Sequence, residues 1–353
     1  SFRTRRVLRV EGISSAYLRL LDQARVQMER SLEPVPNATA ISISTSADGE
    51  PDFSELHEQL KKQNAHIKKA FQGYSTAPIT LGGLGRLIGK GPIDIVCGWP
   101  TSQETPAMFV TVGTVEERQG AMAQLADSTA SYVVDAGTIA ELVALGAAEA
   151  LRALPKVYAT SETRDILRRR LEETELERKS GTLLDDDGRM RLVEYTDSDR
   201  ERARLGAQAM VDALESICEV TPAYGPESGS ELLTRLEKAI SDEEHAVLRL
   251  AVERNLCLVT VDGRLRNVAR HLNVRGVWPQ ALLMHATAVG KLTERAYSQG
   301  TVQMFLANRS FVSLCPRDLL LMCHLGTQLA RHGIARYKQY LADPHTEFGS
   351  AFR

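Results

Sequence analysis

The chain has 353 residues, of which 43% are hydrophobic and 25% are charged, so it has enough apolar residues for the core of a globular protein. Its net charge of -2 excludes a protein whose whole surface attracts polyanions, and its 5% aromatic content argues against an extended base-stacking surface. Five scattered cysteines without a CxxC pair indicate neither a zinc site nor a disulfide framework. No signal peptide and no run of about twenty apolar residues is visible, which predicts a cytoplasmic protein with no membrane segment.

The first 127 residues are predicted to form an N-terminal α/β region. Apolar spacing predicts helices over 1–31 and 52–73, and a third helix that ends near Asp127. Alternating or continuous apolar residues predict strands over 38–44 and 108–113.

The glycine-rich stretch over 79–91 raises the question of a phosphate-binding loop. The Walker pattern requires a glycine where this chain has Leu84, and Ser or Thr where it has Gly91 after Lys90. The pattern therefore fails. The stretch is predicted to be a short helix and turn whose small residues allow close packing.

From residue 128 the predicted elements alternate as they do in a parallel sheet with covered faces. The predicted strands lie over 131–135, 155–160 and 256–261. The predicted helices around them lie over 138–154, 161–178, 196–219 and 241–255. This pattern predicts an α/β domain over 128–279 with an insertion near 179–240, followed by a mostly helical C-terminal region over 280–353, which includes a long helix over 317–342.

Two acids follow predicted strands directly, Asp135 after the first and Asp262 after the third. Ligands of open parallel sheets gather at the carboxyl ends of the strands, and carboxylates are the ligands that Mg²⁺ and Mn²⁺ prefer. Such ions can promote hydrolysis of a phosphodiester. Two structural alternatives stay open: Asp135 can cap the following helix, and Asp262 can begin a turn with Gly263.

Three segments resemble the PIN-domain (PIN/FEN-like) family of metal-dependent ribonucleases. The run Val133-Val134-Asp135-Ala136-Gly137-Thr138-Ile139 resembles the opening strand and first metal-binding acid of that family. Residues 244–251, followed by 258–265, resemble its later block, in which an acid opens a helix, an alanine lies seven residues on, and a strand ends in Thr-x-Asp. The resemblance covers roughly 130–277, fewer than half of the residues.

The resemblance implies an endoribonuclease that hydrolyses single-stranded or structured RNA through a water activated by Mg²⁺ or Mn²⁺. The catalytic and metal-binding residues that it implies are Asp135, Asp165, Glu244 and Asp262. Asp165 comes from counting along the helix after the second strand, and Glu162 is its near alternative. Glu243 is the corresponding alternative to Glu244, and both glutamates could simply be favourable charges at a helix N-terminus.

Substrate binding is predicted for two threonines and three arginines near these acids. The hydroxyls of Thr138 and Thr260 can orient a metal ligand or a phosphate. The arginines that follow Asp262, namely Arg264, Arg266 and Arg270, can contact RNA phosphates. The alternative for the arginines is pairing with acids of the C-terminal helices.

Other functions are also compatible with the sequence. The chain can be a catalytically weak PIN module that binds RNA or a regulatory partner protein, and it can be a homo-oligomer. Asp135-Ala136-Gly137-Thr138 also fits the phosphate turn of actin-like ATPases, but that turn joins two strands and a helix is predicted here. An aspartyl-phosphate hydrolase would need an acid in place of Gly137.

Overall fold

The computed structural model describes residues 44–45, 51–102, 105–176, 181–186, 189–226, 230–342 and 346–347. It also describes five separate residues near the N-terminus, all with helical backbone, namely Tyr17, Leu20, Leu21, Gln23 and Val26. Apart from these and Ser44, the helix predicted over 1–31 and the strand predicted over 38–44 lie outside the described residues.

A five-stranded parallel sheet forms the centre of the fold, with the strand order β7-β4-β3-β8-β9. Two short antiparallel pairs, β1 with β2 and β5 with β6, complete the described strands. The strands are β1 (Ser44–Thr45), β2 (Pro51–Asp52), β3 (Tyr132–Val134), β4 (Val157–Thr160), β5 (Gly181–Asp186), β6 (Arg189–Glu194), β7 (Glu219–Thr221), β8 (Cys257–Val259) and β9 (Gly276–Val277).

Helices lie before, between and after these strands. In the described part of the chain the α-helices are α1 (Ser54–Thr76), α2 (Leu81–Ile88), α3 (Pro92–Cys97), α4 (Val115–Leu125), α5 (Ala136–Ala144), α6 (Ser161–Leu176), α7 (Asp197–Ile217), α8 (Glu231–Leu236), α9 (Asp242–Arg254), α10 (Gly263–His271), α11 (Pro279–Ala288), α12 (Glu294–Leu306), α13 (Pro316–Cys323) and α14 (Thr327–Ala342). A 3-10 helix over Ala148–Ala153 follows α5. No helix among the described residues is both long and apolar enough to cross a membrane.

The central strands are buried on both faces, as expected of a parallel sheet covered by helices. Tyr132 and Val134 of β3 belong to one hydrophobic core, whereas Val133 between them belongs to a second core on the other face. The register pairs Val134 with Val259, so β3 and β8 end side by side. The predicted PIN-like α/β architecture is confirmed, and the residues that follow these two strands lie at one edge of the sheet.

The segments before and after the sheet region pack onto the same hydrophobic core. That core contains Leu84 and Met108 from the N-terminal part and Leu283 and Met304 from the C-terminal part. The domain boundaries stated above remain a prediction.

A buried ion pair joins the C-terminal part to the helix that follows β3. The guanidinium of Arg309 donates to both carboxylate oxygens of Glu141 in α5, at 2.9 and 2.6 Å, and also to the carbonyl oxygen of Val96. A bidentate pair of this kind fixes both position and orientation.

Several predicted elements differ from the structure. The segment over 108–113 forms no strand: only Met108 bridges to Arg309, and the amide of Val110 donates to the hydroxyl of Ser310 instead of to a neighbouring strand. The helix predicted over 138–154 ends near Gly146, whose φ of +64° suits glycine and breaks the helix. The helix predicted over 317–342 is divided into α13 and α14.

Candidate active site

Two buried aspartates lie at the carboxyl edge of the sheet, where each begins a helix. Oδ1 of Asp135 accepts from the amide of Thr138 at 2.6 Å, and Oδ1 of Asp262 accepts from the amide of Arg264 at 2.8 Å. The capping alternative for Asp135 is therefore confirmed. Each cap uses Oδ1 alone, so it leaves the second carboxylate oxygen available for another partner.

Two glutamates from the first turn of α9 are buried beside these aspartates. Oε1 of Glu243 accepts from the amide of Ala136 at 2.8 Å and from the hydroxyl of Thr163 at 2.9 Å. Glu244 forms a capping box with Ser241, the residue before the helix. The sequence left the two glutamates as alternatives, but in the structure both lie at the site, where Glu243 contacts Ala136 and Glu244 contacts Gly82.

Burial raises the pKa values of all four carboxyls, and repulsion between neighbouring carboxylates adds to this for Asp135, Glu243 and Glu244. The pKa of Asp135 is about 6, because burial and the charge of Asp262 outweigh the groups that hydrogen-bond it. Burial and the charge of Asp135 raise the pKa of Glu243 to about 8. Burial and the charge of Asp262 raise the pKa of Glu244 to about 7, and burial also raises that of Asp262. We call these four residues the acidic ring.

The N-terminus of α2 lies against one side of the acidic ring. The amide of Leu81 donates to Oδ2 of Asp262 at 2.6 Å, and the amide of Gly82 donates to Oε1 of Glu244 at 2.8 Å. The hydroxyl of Thr80, which caps α2, donates to Oε2 of Glu244 at 3.0 Å. Helix N-termini carry partial positive charge, so this contact stabilises the two carboxylates.

Close packing at this contact requires glycine. A Cβ on Gly82 would lie 2.5 Å from Cδ of Glu244, a distance that real side chains do not tolerate. The prediction that the small residues over 79–91 permit a packing contact is confirmed, although the sequence did not indicate what they contact.

Two buried carboxylate oxygens near the ring have no hydrogen-bond partner among the described residues, Oδ2 of Asp135 and Oε2 of Glu162. Glu162 and Glu243 line the same cleft, which has a volume of about 780 Å³. Open carboxylate oxygens are the ligand type that Mg²⁺ and Mn²⁺ prefer, so this donor set fits such an ion. Within the described ranges, however, no group of three or more Asp, Glu, His or Cys side chains is arranged so that it could hold a metal ion as it stands.

Asp165 lies on the exposed part of the same cleft. Its carboxylate accepts from its neighbour Arg164 at 2.9 Å, and its side chain is 58% exposed. Of the two acids predicted from α6, Glu162 has the buried open oxygen, and Asp165 faces solvent one turn away.

The two predicted threonines support the strand ends. The hydroxyl of Thr138 accepts from the amide of Val261 at 2.8 Å, and the hydroxyl of Thr260 accepts from the amide of Asp262 at 3.0 Å. Both side chains are fully buried beside the ring. They fix the backbone that carries the aspartates.

The three predicted arginines point to different partners. Arg264 donates to the carbonyl oxygen of Ile79 at 3.0 Å, and its guanidinium lies 3.7 Å from the centre of the Tyr74 ring. Arg266 is buried and pairs with Glu117 at 2.8 Å, an acid of α4 and not of the C-terminal helices. Arg270 is exposed in the last turn of α10. The three side chains therefore do not form one row for an RNA backbone.

The parallel sheet and the acidic ring at its carboxyl edge define an α/β protein whose candidate site is built from buried carboxylates. A family model described as a PIN domain associated with the TPR-GreAB-C-PIN system matches residues 133–271, which contain the whole ring, and this part of the chain is a PIN domain. The predicted PIN resemblance is thus confirmed. Searches of curated proteins and of solved structures gave no match.

Proposed function

We propose that the chain is a metal-dependent endoribonuclease that hydrolyses RNA phosphodiester bonds with Mg²⁺ or Mn²⁺ bound at the acidic ring. The observation that supports this most is the burial of four carboxyls at one edge of a PIN domain, none of which forms an ion pair with a described lysine or arginine. An isolated buried charge is strongly unfavourable, so a buried carboxyl is ordinarily paired, protonated or bound to a metal.

Asp135, Glu243 and Glu162 would hold the cation. The open oxygens of Asp135 and Glu162 favour this side of the ring, since Glu244 and Asp262 already accept hydrogen bonds from α2. A bound divalent cation would polarise the scissile phosphodiester and lower the pKa of a water molecule.

The chain's own groups would hold the acids in place and manage their protons. The amide of Thr138 and the hydroxyl of Thr163 hold one oxygen each of Asp135 and Glu243. Because the pKa of Glu243 is about 8, its carboxyl keeps a proton at neutral pH, and it would release this proton on binding a cation.

Cations near the cleft can contact the RNA backbone on either side of the scissile phosphate. Lys90 and Arg169 line the cleft beside Glu243, both are exposed, and neither forms an ion pair within the described residues. We propose these two residues as phosphate contacts.

A second candidate function is a PIN module that binds a partner without cleaving RNA. The contact between α2 and the ring favours it, because three donors already occupy oxygens of Glu244 and Asp262. The description of the matching family names TPR and GreAB-C components, and we propose proteins of these kinds as partners.

The test is incubation of the purified full chain with mixed RNAs and with DNA, in Mn²⁺, Mg²⁺ or EDTA. We expect RNA cleavage in Mn²⁺ or Mg²⁺, none in EDTA, and loss of cleavage in Asp135→Asn and Glu162→Gln. Asp212→Asn, an exposed change on α7, is the matched control. Asp165→Asn decides whether that carboxylate takes part. RNA binding without cleavage in any metal would favour the second candidate.

A further inference from the structure

A second cavity lies towards the C-terminal end of α10, whereas Asp262 of the acidic ring lies at the N-terminal end of this helix. It has a volume of about 360 Å³ and is lined by α4, the end of α10 and the turn that leads into β9. Arg270, in its lining, follows Asp262 by eight residues, which is about 12 Å along a helix. The cavity is therefore separate from the proposed cleavage site.

The inner wall of this cavity contains a buried arginine with an unused donor. Arg266 is 6% exposed, and its Nη2 donates to Glu117 at 2.8 Å. Its Nη1 has no hydrogen-bond partner among the described residues. A Cβ on Gly276 would lie 2.5 Å from Cγ of Arg266, so glycine at this position makes room for the arginine stem.

The charged side chains that line the cavity are three arginines and two glutamates, so the lining has a net charge of +1. Arg270 and Arg275 are exposed in the lining, and Arg275 has only a 3.8 Å contact with Asp127. Glu117 is neutralised by Arg266, and its carboxylate also accepts hydrogen bonds from the backbone amides of Val112 and Gly113. Glu116 is the other acid in the lining, and it is exposed.

We propose that this cavity binds a phosphate group through Arg266, Arg270 and Arg275. Guanidinium groups match phosphate oxygens in geometry and charge, and a buried donor without a partner gains a full hydrogen bond from such a ligand. The volume lies at the lower end of the range of roughly 300–1,000 Å³ for small-molecule sites, which suits a mononucleotide or a single backbone phosphate. The site does not depend on nuclease activity, because none of its residues belongs to the acidic ring.

The test is calorimetric titration of the full chain in EDTA and low salt with three probes: inorganic phosphate, AMP and a short single-stranded RNA. Arg270→Ala is the test variant, and Arg295→Ala, an exposed change on α12, is the matched control. A charged hydrogen bond removed from the site should weaken phosphate binding by roughly tenfold to a hundredfold in Arg270→Ala only. The same binding is expected in Asp135→Asn, so loss of nuclease activity would not affect this result.

The probes distinguish the two sources of phosphate. Saturable binding of phosphate and AMP that depends on Arg270 identifies a small phosphorylated ligand, whereas dependence for RNA alone identifies a backbone contact. Equal affinity of the Arg270→Ala and Arg295→Ala variants for every probe, or no saturable binding of any probe, would overturn the proposal. Because Arg270 is exposed, urea unfolding of its variant should match that of the wild type, which confirms that the fold is intact.

Discussion

Asp135→Asn removes one negative charge from the acidic ring and leaves the local structure almost unchanged. Oδ1 of Asp135 accepts from Thr138, and Oδ2 has no partner among the described residues. Asparagine caps helices about as well as aspartate, so the variant keeps the cap of α5. Any change in stability will therefore come mainly from the charge.

The size of the effect follows from the pKa of Asp135. Raising that pKa from 3.8 to about 6 corresponds to about 3 kcal/mol, at about 1.4 kcal/mol per pKa unit. The folded protein holds this proton more tightly than the unfolded chain. The stabilisation is thus fully present below about pH 4, and it is lost as the pH rises through 6. The variant should be more stable than the wild type by about 3 kcal/mol at pH 8 and by about half as much at pH 5.

Urea unfolding in EDTA at pH 5 and pH 8 measures this difference. Asp212→Asn should match the wild type at both pH values, because its side chain is exposed on α7. Lower stability of Asp135→Asn than of the wild type at pH 8 would contradict this prediction. A difference between variant and wild type that is the same at the two pH values would contradict it as well.

Two further predictions concern packing around the site. Gly82→Ala should push α2 away from Glu244 and lower the free energy of unfolding by roughly 2–4 kcal/mol, because hydrogen bonds to charged groups contribute roughly 1.5–3 kcal/mol each. Gly120→Ala, at a helical position where a Cβ meets nothing within 4 Å, is its control in urea unfolding, and equal midpoints for the two would contradict the contact. Glu141→Gln should destabilise the protein by about 3–5 kcal/mol, since it leaves the buried guanidinium of Arg309 without its counter-charge. A loss below about 1 kcal/mol would show that this pair does not hold the C-terminal part in place.

The elements that carry the site could be predicted because their signals are local. Val133 and Val134 form a buried run that ends in an acid, and the run that leads to Asp262 does the same. Strands with such runs align in a parallel sheet, which brings the two aspartates to one edge. The edge strands β7 and β9 were missed because two or three residues are too few to show a pattern.

The partners of the acids could not be predicted, because they come from distant parts of the chain. Glu244 contacts Gly82, which lies 162 positions away in sequence, and Arg266 pairs with Glu117 across 149 positions. Spacing within α10 placed Arg266 near the site but did not indicate which of its faces is buried. Only the packing of α4 and α2 on the sheet determines these contacts.

Binding of Mn²⁺ at pH 8, followed by electron paramagnetic resonance, tests most directly whether the acidic ring is a cation site. We expect saturable binding to the wild-type chain and to Asp212→Asn. Binding should be much weaker in Asp135→Asn and Glu162→Gln, because each variant loses a ligand with an open oxygen. Absence of saturable Mn²⁺ binding to the wild type, or equal affinity of Asp135→Asn for Mn²⁺, would contradict the proposed cation site.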